Sequence, residues 1–173
     1  MDQIEVLISE KDVLARIKEL AAQISGKYEG KKVVAVGILN GAVYFLSELT
    51  RQMTIPVEID FMLASSYGAG TVSSGHVMVK KDLDRSIEDK YVLLVEDVVD
   101  TGRTLKLLKE MLAERNPAGI EICALLDKPS RREVELSADY IGFEIPDAFV
   151  VGWGLDYDQK YRNLPYVGVV KNI

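Results

Sequence analysis

The stretch of this 173-residue chain best equipped for chemistry is Val95-Glu96-Asp97-Val98-Val99-Asp100-Thr101-Gly102-Arg103-Thr104-Leu105. Acids at 96, 97 and 100 end an apolar run, and Thr-Gly-Arg-Thr then opens a helical pattern. The two halves suit opposite charges. Free backbone N–H groups at a helix N-terminus, with Gly102 permitting close approach and the Thr101 and Thr104 hydroxyls adding donors, form a cradle for phosphate. Glu96 and Asp97 suit ribose hydroxyls or a hard cation such as Mg²⁺. A ligand bearing both a phosphate and a sugar diol satisfies both halves. The plainer account is that Asp100 or Thr101 caps the helix while Glu96 and Asp97 solvate a strand end. Capping employs one of these residues, however, and like charges crowded beside a buried strand cost stability unless a ligand or metal compensates. Other phosphate signatures are missing: there is no G-x-x-x-x-G-K-[ST], and Gly152-Trp153-Gly154 lacks the third glycine of a dinucleotide fingerprint.

The elements that must position this turn follow from apolar periodicity. Ser9 with Asp12 resembles a capping box, and Val13, Leu14, Ile17, Leu20, Ala21 and Ile24 recur at helical spacing up to Gly26. Val33 to Leu39 is a continuous, β-branched-rich run of the kind that a parallel strand covered on both faces requires. A helix from about Ala42 to Gln52 and a strand from Val57 to Ala64 complete a βαβ unit. Ser65 to Gly75 is poor in apolar side chains and rich in Gly and Ser, which predicts a mobile loop. A short strand around His76 to Val79, a strand at Tyr91–Val95, a helix marked by Leu105, Leu107, Leu108, Met111 and Leu112, and a strand from Ile120 to Leu126 follow. This alternation predicts an α/β fold, a Rossmann-like parallel sheet flanked by helices, with any ligand at the carboxyl ends of the strands.

Composition narrows the classes of function. The chain carries 21 Lys+Arg against 27 Asp+Glu, a net charge of −6, so nucleic-acid binding works against the mean field. An apolar fraction of 48% with 28% charged residues fits one soluble globular domain over 1–173. No apolar run approaches the ~20 residues that cross a bilayer, and no secretory leader is evident, so no membrane partner is expected. The single cysteine, Cys123, excludes an internal disulfide and points to a reducing, cytoplasmic setting.

The stretch Val92 to Leu105 resembles the phosphoribosyl pyrophosphate (PRPP) motif of type I phosphoribosyltransferases. The tail, Gly142-Phe143-Glu144-Ile145-Pro146-Asp147-Ala148-Phe149-Val150-Val151-Gly152-Trp153-Gly154-Leu155-Asp156-Tyr157 and then Tyr161-Arg162-Asn163-Leu164-Pro165, is similar to that of the hypoxanthine-guanine members, and the likeness spans nearly the whole chain. The resemblance implies a small hood built from both chain ends, Mg²⁺ dependence, and purine salvage from PRPP and a 6-oxopurine base by a homo-oligomer, a dimer or tetramer. It implies that Asp100 accepts a proton from the purine as general base, and that Thr101, Gly102, Arg103 and Thr104 hold the 5′-phosphate. Glu96 and Asp97 then orient the ribose hydroxyls and a first Mg²⁺. Lys128, in Leu125-Leu126-Asp127-Lys128-Pro129, sits where the family reads the 6-oxo group; as a bare residue it is an ordinary surface lysine. Phe149 stacks on the purine and the Val150 carbonyl meets its 2-position edge, although composition alone favours core packing for Phe149. Asp156 takes a second Mg²⁺ and Arg162 contacts pyrophosphate; as bare residues both are plain surface charges. Ser66 and Tyr67 stand at the matching positions of the family's lid over the reacting centre.

One departure concerns the first pyrophosphate loop. Many relatives read Leu-Lys-Gly there, whereas this chain has Leu39-Asn40-Gly41, which removes a cation and leaves the backbone amide as the expected contact. In the family this peptide can be cis. His76 stays unassigned. Two other classes remain open on the residues alone. One is a nucleotide-sensing regulator of the same fold without turnover; the other is a phosphoacceptor receiver domain, in which the Thr-Gly-x-Thr turn and the Lys128/Phe149 tail have no purpose.

Overall fold

Strand and helix assignments follow the apolar pattern closely. The structure, a computed structural model, describes residues 3–66 and 77–171. The first element is a strand, β1 (Gln3–Ile8), and then Ser9 caps α1 (Glu10–Lys27) by accepting a 3.2 Å hydrogen bond from the Asp12 N–H. α1 runs through Gly26, one residue past the expected stop, and the Tyr28 N–H closes it on the Ile24 carbonyl. β2 (Val33–Ile38) is buried at every position, α2 spans Val43–Gln52, and β3 (Glu58–Ser66) outlasts the predicted strand by two residues. Ser65 and Ser66 therefore belong to a strand rather than to the predicted loop. The rest of that loop, Tyr67 included, lies outside the described residues, as does His76, and the next strand, β4 (Val77–Lys81), begins after it. β5 (Tyr91–Val99), α3 (Arg103–Ala113) and β6 (Gly119–Asp127) follow, then a 3₁₀ turn at Pro129–Arg131 and the short strands β7 (Tyr140–Glu144), β8 (Val150–Val151) and β9 (Val167–Lys171).

The main sheet has the order β4-β3-β2-β5-β6-β7. All its pairings are parallel except that of the edge strand β4 with β3, which is antiparallel, so the sheet is parallel-dominated as expected. Successive strand residues point to opposite faces, and each face has its own core. Val33, Ala35, Leu93, Val95, Cys123 and Leu125 meet α1 and α2 on one side. Val34, Val36, Leu94, Ile122 and Ala124 meet Leu105, Leu108 and Leu112 of α3 on the other. A second, three-stranded sheet, β1-β9-β8, unites the two chain ends, as the family resemblance implied. Strand order reverses between β2 and β5, because β3 was laid on one side of β2 and β5, β6 and β7 on the other. The crevice at such a reversal, beyond the carboxyl ends of the strands, is where open α/β sheets bind ligands.

Candidate active site

The β2/β5 reversal brings Leu39-Asn40-Gly41 against the acids at the end of β5. Gly37 of β2 is in register with Val95 of β5, which sets the residues that follow each strand side by side. The contact is so close that a Cβ on Gly41 would stand 1.7 Å from Asp97 Oδ2, and one on Gly154 would stand 1.8 Å from the Gly41 carbonyl oxygen. Three segments far apart in sequence thus meet here without side chains between them. The Leu39–Asn40 peptide is cis, the isomer allowed for by the resemblance.

Asp97 donates its backbone N–H to Glu96 Oε1 (3.0 Å), and the Val98 N–H donates to Asp97 Oδ1 (2.6 Å). Burial, then the adjacent Asp97 charge, holds Glu96 well above the ordinary carboxylate range. Burial also raises Asp97, against the opposing effect of its hydrogen bonds and of the Arg162 charge. Two neighbouring acids held above their normal range lack positive charge, and a divalent cation would supply it. Mg²⁺ is commonly held by one or two carboxylates with substrate phosphates and water completing the shell, so this donor pair fits a substrate-borne ion. Among the described residues no cluster of three or more potential ligands forms an all-protein metal cage.

Past β5 the chain turns through Asp100-Thr101-Gly102 into α3. The capping residue is Gly102, at φ +83°, which has no side chain to cap with; Thr101 Oγ1 accepts the Arg103 N–H at a long 3.4 Å, and Asp100 makes no capping bond. A Cβ at 102 would press within 2.9 Å of Arg132 Cδ, on top of the cost of a left-handed conformation. The turn borders a cavity of about 130 Å³ lined by Glu96, Val98, Thr101, Gly102 and Thr104 among others, room for a phosphate group at the positive end of α3. The Arg103 side chain turns away to pair with Glu133, leaving its backbone as the part that faces the turn. A larger groove of about 690 Å³ along Lys106, Lys109 and residues 134–139 holds none of the candidate residues.

On the neighbouring strand, the Lys128 N–H donates to the Val99 carbonyl (3.0 Å), pinning the end of β6 to the end of β5. Lys128 is only 8% exposed, and its ammonium has no carboxylate partner among the described residues. It is therefore no surface lysine. Phe149 is likewise no core residue: it is 47% exposed and meets Tyr157 edge-on at 5.5 Å between ring centres. Val150 is buried, in register with Val169. Asp156 accepts the Gln159 N–H (2.8 Å) and pairs with Arg162 at 3.2 Å. Arg162 also donates to the Gly154 carbonyl (2.6 Å) and to Gln159 Oε1 (3.1 Å), so it braces the tail loop beside Asp97.

Side chains that the sequence pattern did not single out complete the arrangement. Arg131 Nε donates to Asp100 Oδ1 at 3.0 Å. Arg132 donates to the Asp100 carbonyl (3.2 Å), to the Leu136 carbonyl (2.6 Å) and to buried Asp127. The chain's one Arg-Arg dipeptide, placed just after Lys128, was the available signal; its shared partner Asp100, 31 residues from Arg131, was not visible in it.

A mainly parallel sheet with an acidic strand end, a Thr-Gly-x-Thr helix start and a hood from the chain ends fits the phosphoribosyltransferase class that the resemblance implies. Residues 6–160 match the phosphoribosyl transferase domain family, and the chain belongs to it. It is 53% identical over 170 residues to the hypoxanthine phosphoribosyltransferase of Haemophilus influenzae, covering 96% of this chain and 95% of that protein. It is 48% identical over 167 residues to the hypoxanthine-guanine phosphoribosyltransferase of Bacillus subtilis, covering 96% and 93%. The crystal structure of a hypoxanthine phosphoribosyltransferase from Staphylococcus aureus superposes with a TM-score of 0.94 at 50% identity, covering 96% of this chain and 91% of that one.

Proposed function

We propose that this chain transfers the phosphoribosyl group of PRPP to hypoxanthine or guanine, giving IMP or GMP and pyrophosphate in purine salvage. The observation that carries this reading is the phosphate-sized cavity at the glycine-led start of α3, flanked by the Glu96/Asp97 pair, one strand away from Lys128. The relatives' names favour this enzyme over a regulator without turnover.

The 5′-phosphate takes the amides of Thr101 to Thr104 and the two threonine hydroxyls, where the helix dipole and free N–H groups favour an anion. Glu96 and Asp97 face the ribose diol and hold Mg²⁺, which when bound neutralises phosphate charge. Asp156, already matched with Arg162, is the candidate for a second ion. The Asn40 backbone, pressed against Asp97 through Gly41, offers pyrophosphate an amide in place of the lysine that many relatives carry. Arg162 adds positive charge on the same side. Ser66 and Tyr67 are assigned to the cover over the reacting carbon; Tyr67 lies outside the described residues.

Lys128 donates to the 6-oxo group; adenine presents an amino group there and leaves the ammonium without an acceptor. Phe149 offers an exposed ring face edge-braced by Tyr157, and the Val150 carbonyl meets the 2-position edge. Asp100, half-exposed beside the phosphate turn, takes the ring proton as the glycosidic bond forms. Orienting two substrates in one crevice supplies up to about 7–11 kcal/mol of the barrier reduction.

The whole chain acts as one domain in a reducing, cytoplasmic compartment, with Cys123 buried as a free thiol. No helix among the described residues is long and apolar enough to cross a membrane. Exposed Tyr44, Ile59 and Met78 supply apolar surface for a second copy to cover in a homo-oligomer. The test is PRPP-dependent conversion of hypoxanthine, guanine and xanthine by wild type and Asp100→Asn. Absence of turnover with all three bases overturns the reading.

A further inference from the structure

The carboxylate assigned as proton acceptor is held by a residue outside the purine and PRPP contacts. Arg131 Nε donates to Asp100 Oδ1 at 3.0 Å, while Asp100 Oδ2 carries no hydrogen bond to any described residue. The same guanidinium reaches Asp147 Oδ2 at 3.8 Å. These residues belong to three segments that converge on the site. Asp100 begins the PRPP turn, Arg131 follows base-reading Lys128 by three residues, and Asp147 precedes Phe149 by two. The Arg131 N–H itself donates to the Lys128 carbonyl at 3.0 Å, so its backbone is fixed to the residue that reads the base.

We propose that Arg131 is a positioning residue: by holding one oxygen of Asp100 it leaves the other, Oδ2, fixed as the atom that receives the purine proton. The inference rests on the phosphoribosyl transfer proposed above. In that step the ring nitrogen forms its bond to C1 as the C1–O bond to pyrophosphate breaks, the electron pair leaves with pyrophosphate, and the ring N–H proton passes to Oδ2. Arg131 exchanges no proton or electron. Rotation about the final bond of an aspartate is soft and broadly distributed, so a carboxylate free of partners would spread its oxygens over many orientations. One charge-assisted bond from a planar donor removes that freedom.

Both side chains are nearly half-exposed, so water screens the charge while the bond still fixes direction. Asp147 also faces the guanidinium and shares its charge. The pair contributes little to stability because solvent screens it.

The test is a double-mutant cycle on the full-length enzyme with hypoxanthine and PRPP. Arg131→Met lowers kcat about tenfold, a fraction of the ~10²–10⁴ that a positioned proton acceptor supplies, and leaves the KM for PRPP within about twofold. Arg131→Lys, which restores one charged donor, recovers a large part of that loss. In the Asp100→Asn background the Met substitution has no further effect, because its target is gone. An Arg131→Met enzyme with wild-type kcat, or an equal loss in the Asp100→Asn background, overturns the inference. Should the Met variant fail to fold, Arg131→Gln enters the same cycle with the same expectation. Failure of the functional reading looks different: wild type does not turn over, or Asp100→Asn matches it.

Discussion

Lys128→Met separates what the site gains from this lysine from what the fold loses by it. Lys128 is 8% exposed and no carboxylate among the described residues pairs with it, but its ammonium is not among the buried polar atoms left without a partner, so the stem is packed while the head meets water. Methionine matches its length and flexibility while removing the charge. The backbone bond from the Lys128 N–H to the Val99 carbonyl survives the change, so the turn stays attached. Unfolding free energy should stay within about 1 kcal/mol of wild type, because methionine keeps the packed stem and removes no buried unsatisfied group. Catalysis should fall. A hydrogen bond from a charged donor is worth about 1.5–3 kcal/mol, which converts to a loss of about 10- to 150-fold in kcat/KM for hypoxanthine. Adenine gains nothing from the ammonium, so its kcat/KM should barely change and the hypoxanthine-to-adenine ratio should collapse by the same factor. Steady-state kinetics with both bases and urea unfolding at constant m measure the two sides. An unchanged ratio refutes the base-reading role. A stability loss above about 1 kcal/mol shows instead that the lysine is a structural part of the β5–β6 junction.

Asp100→Asn should lower kcat by about 10²–10⁴ with the KM for PRPP little altered; a loss under fivefold, read in the steady state, removes it as proton acceptor. Gly154→Ala adds a Cβ 1.8 Å from the Gly41 carbonyl at a residue with φ +100°, and neither backbone can yield alone. The combined overpacking and left-handed strain should cost about 2–5 kcal/mol in urea unfolding, and a loss under about 1 kcal/mol contradicts the close approach. Remote from the site, Glu121 pairs with Lys27; burial raises its pKa, but the Lys27 hydrogen bond and the nearby Tyr140 and Tyr28 hydroxyls outweigh that and leave it below the ordinary carboxylate value. A depressed folded value contributes stability that is present above the unfolded value and lost as pH falls through the folded one. Lys27→Met should therefore flatten the acid side of the stability–pH curve, and an unchanged slope in denaturation between pH 5 and pH 3 argues against the pair.

The layers of the fold were legible wherever burial is two-sided. Val33–Ile38 and Tyr91–Val95 are apolar at every position because helices cover both faces, and such runs have few alternative readings. β1 and β9 were not legible as strands. Their pairing joins Gln3 to Lys171 across the whole chain, and β1 exposes Val6 and Leu7, so neither shows a clean alternation. β4 is antiparallel at the sheet edge, a choice that local periodicity does not encode. At the site, the Glu96–Thr104 turn could be read because its residues are contiguous and chemically contradictory. Arg131 could not, since its bond to Asp100 depends on the register that sets β6 beside β5.

The residues that fit the fold least well are the ones the site needs. Glu96 and Asp97 are acids held above their ordinary range, Lys128 carries an ammonium without a counter-charge on a packed stem, Phe149 is a large apolar ring left 47% exposed, and α3 begins on a left-handed glycine with only one long side-chain bond to its first turn. Each is unfavourable in the free protein and each is relieved by a different part of one ligand pair: a cation and diol, a 6-oxo oxygen, a purine face, a phosphate. Such a chain should be stabilised more by the nucleoside monophosphate than by phosphate or base alone, because only the joined ligand relieves the turn, the lysine and the ring together. Thermal unfolding with GMP, guanine and inorganic phosphate at matched concentrations tests this. A midpoint with GMP no higher than with phosphate alone means that Lys128 and Phe149 do not share a ligand with the α3 turn.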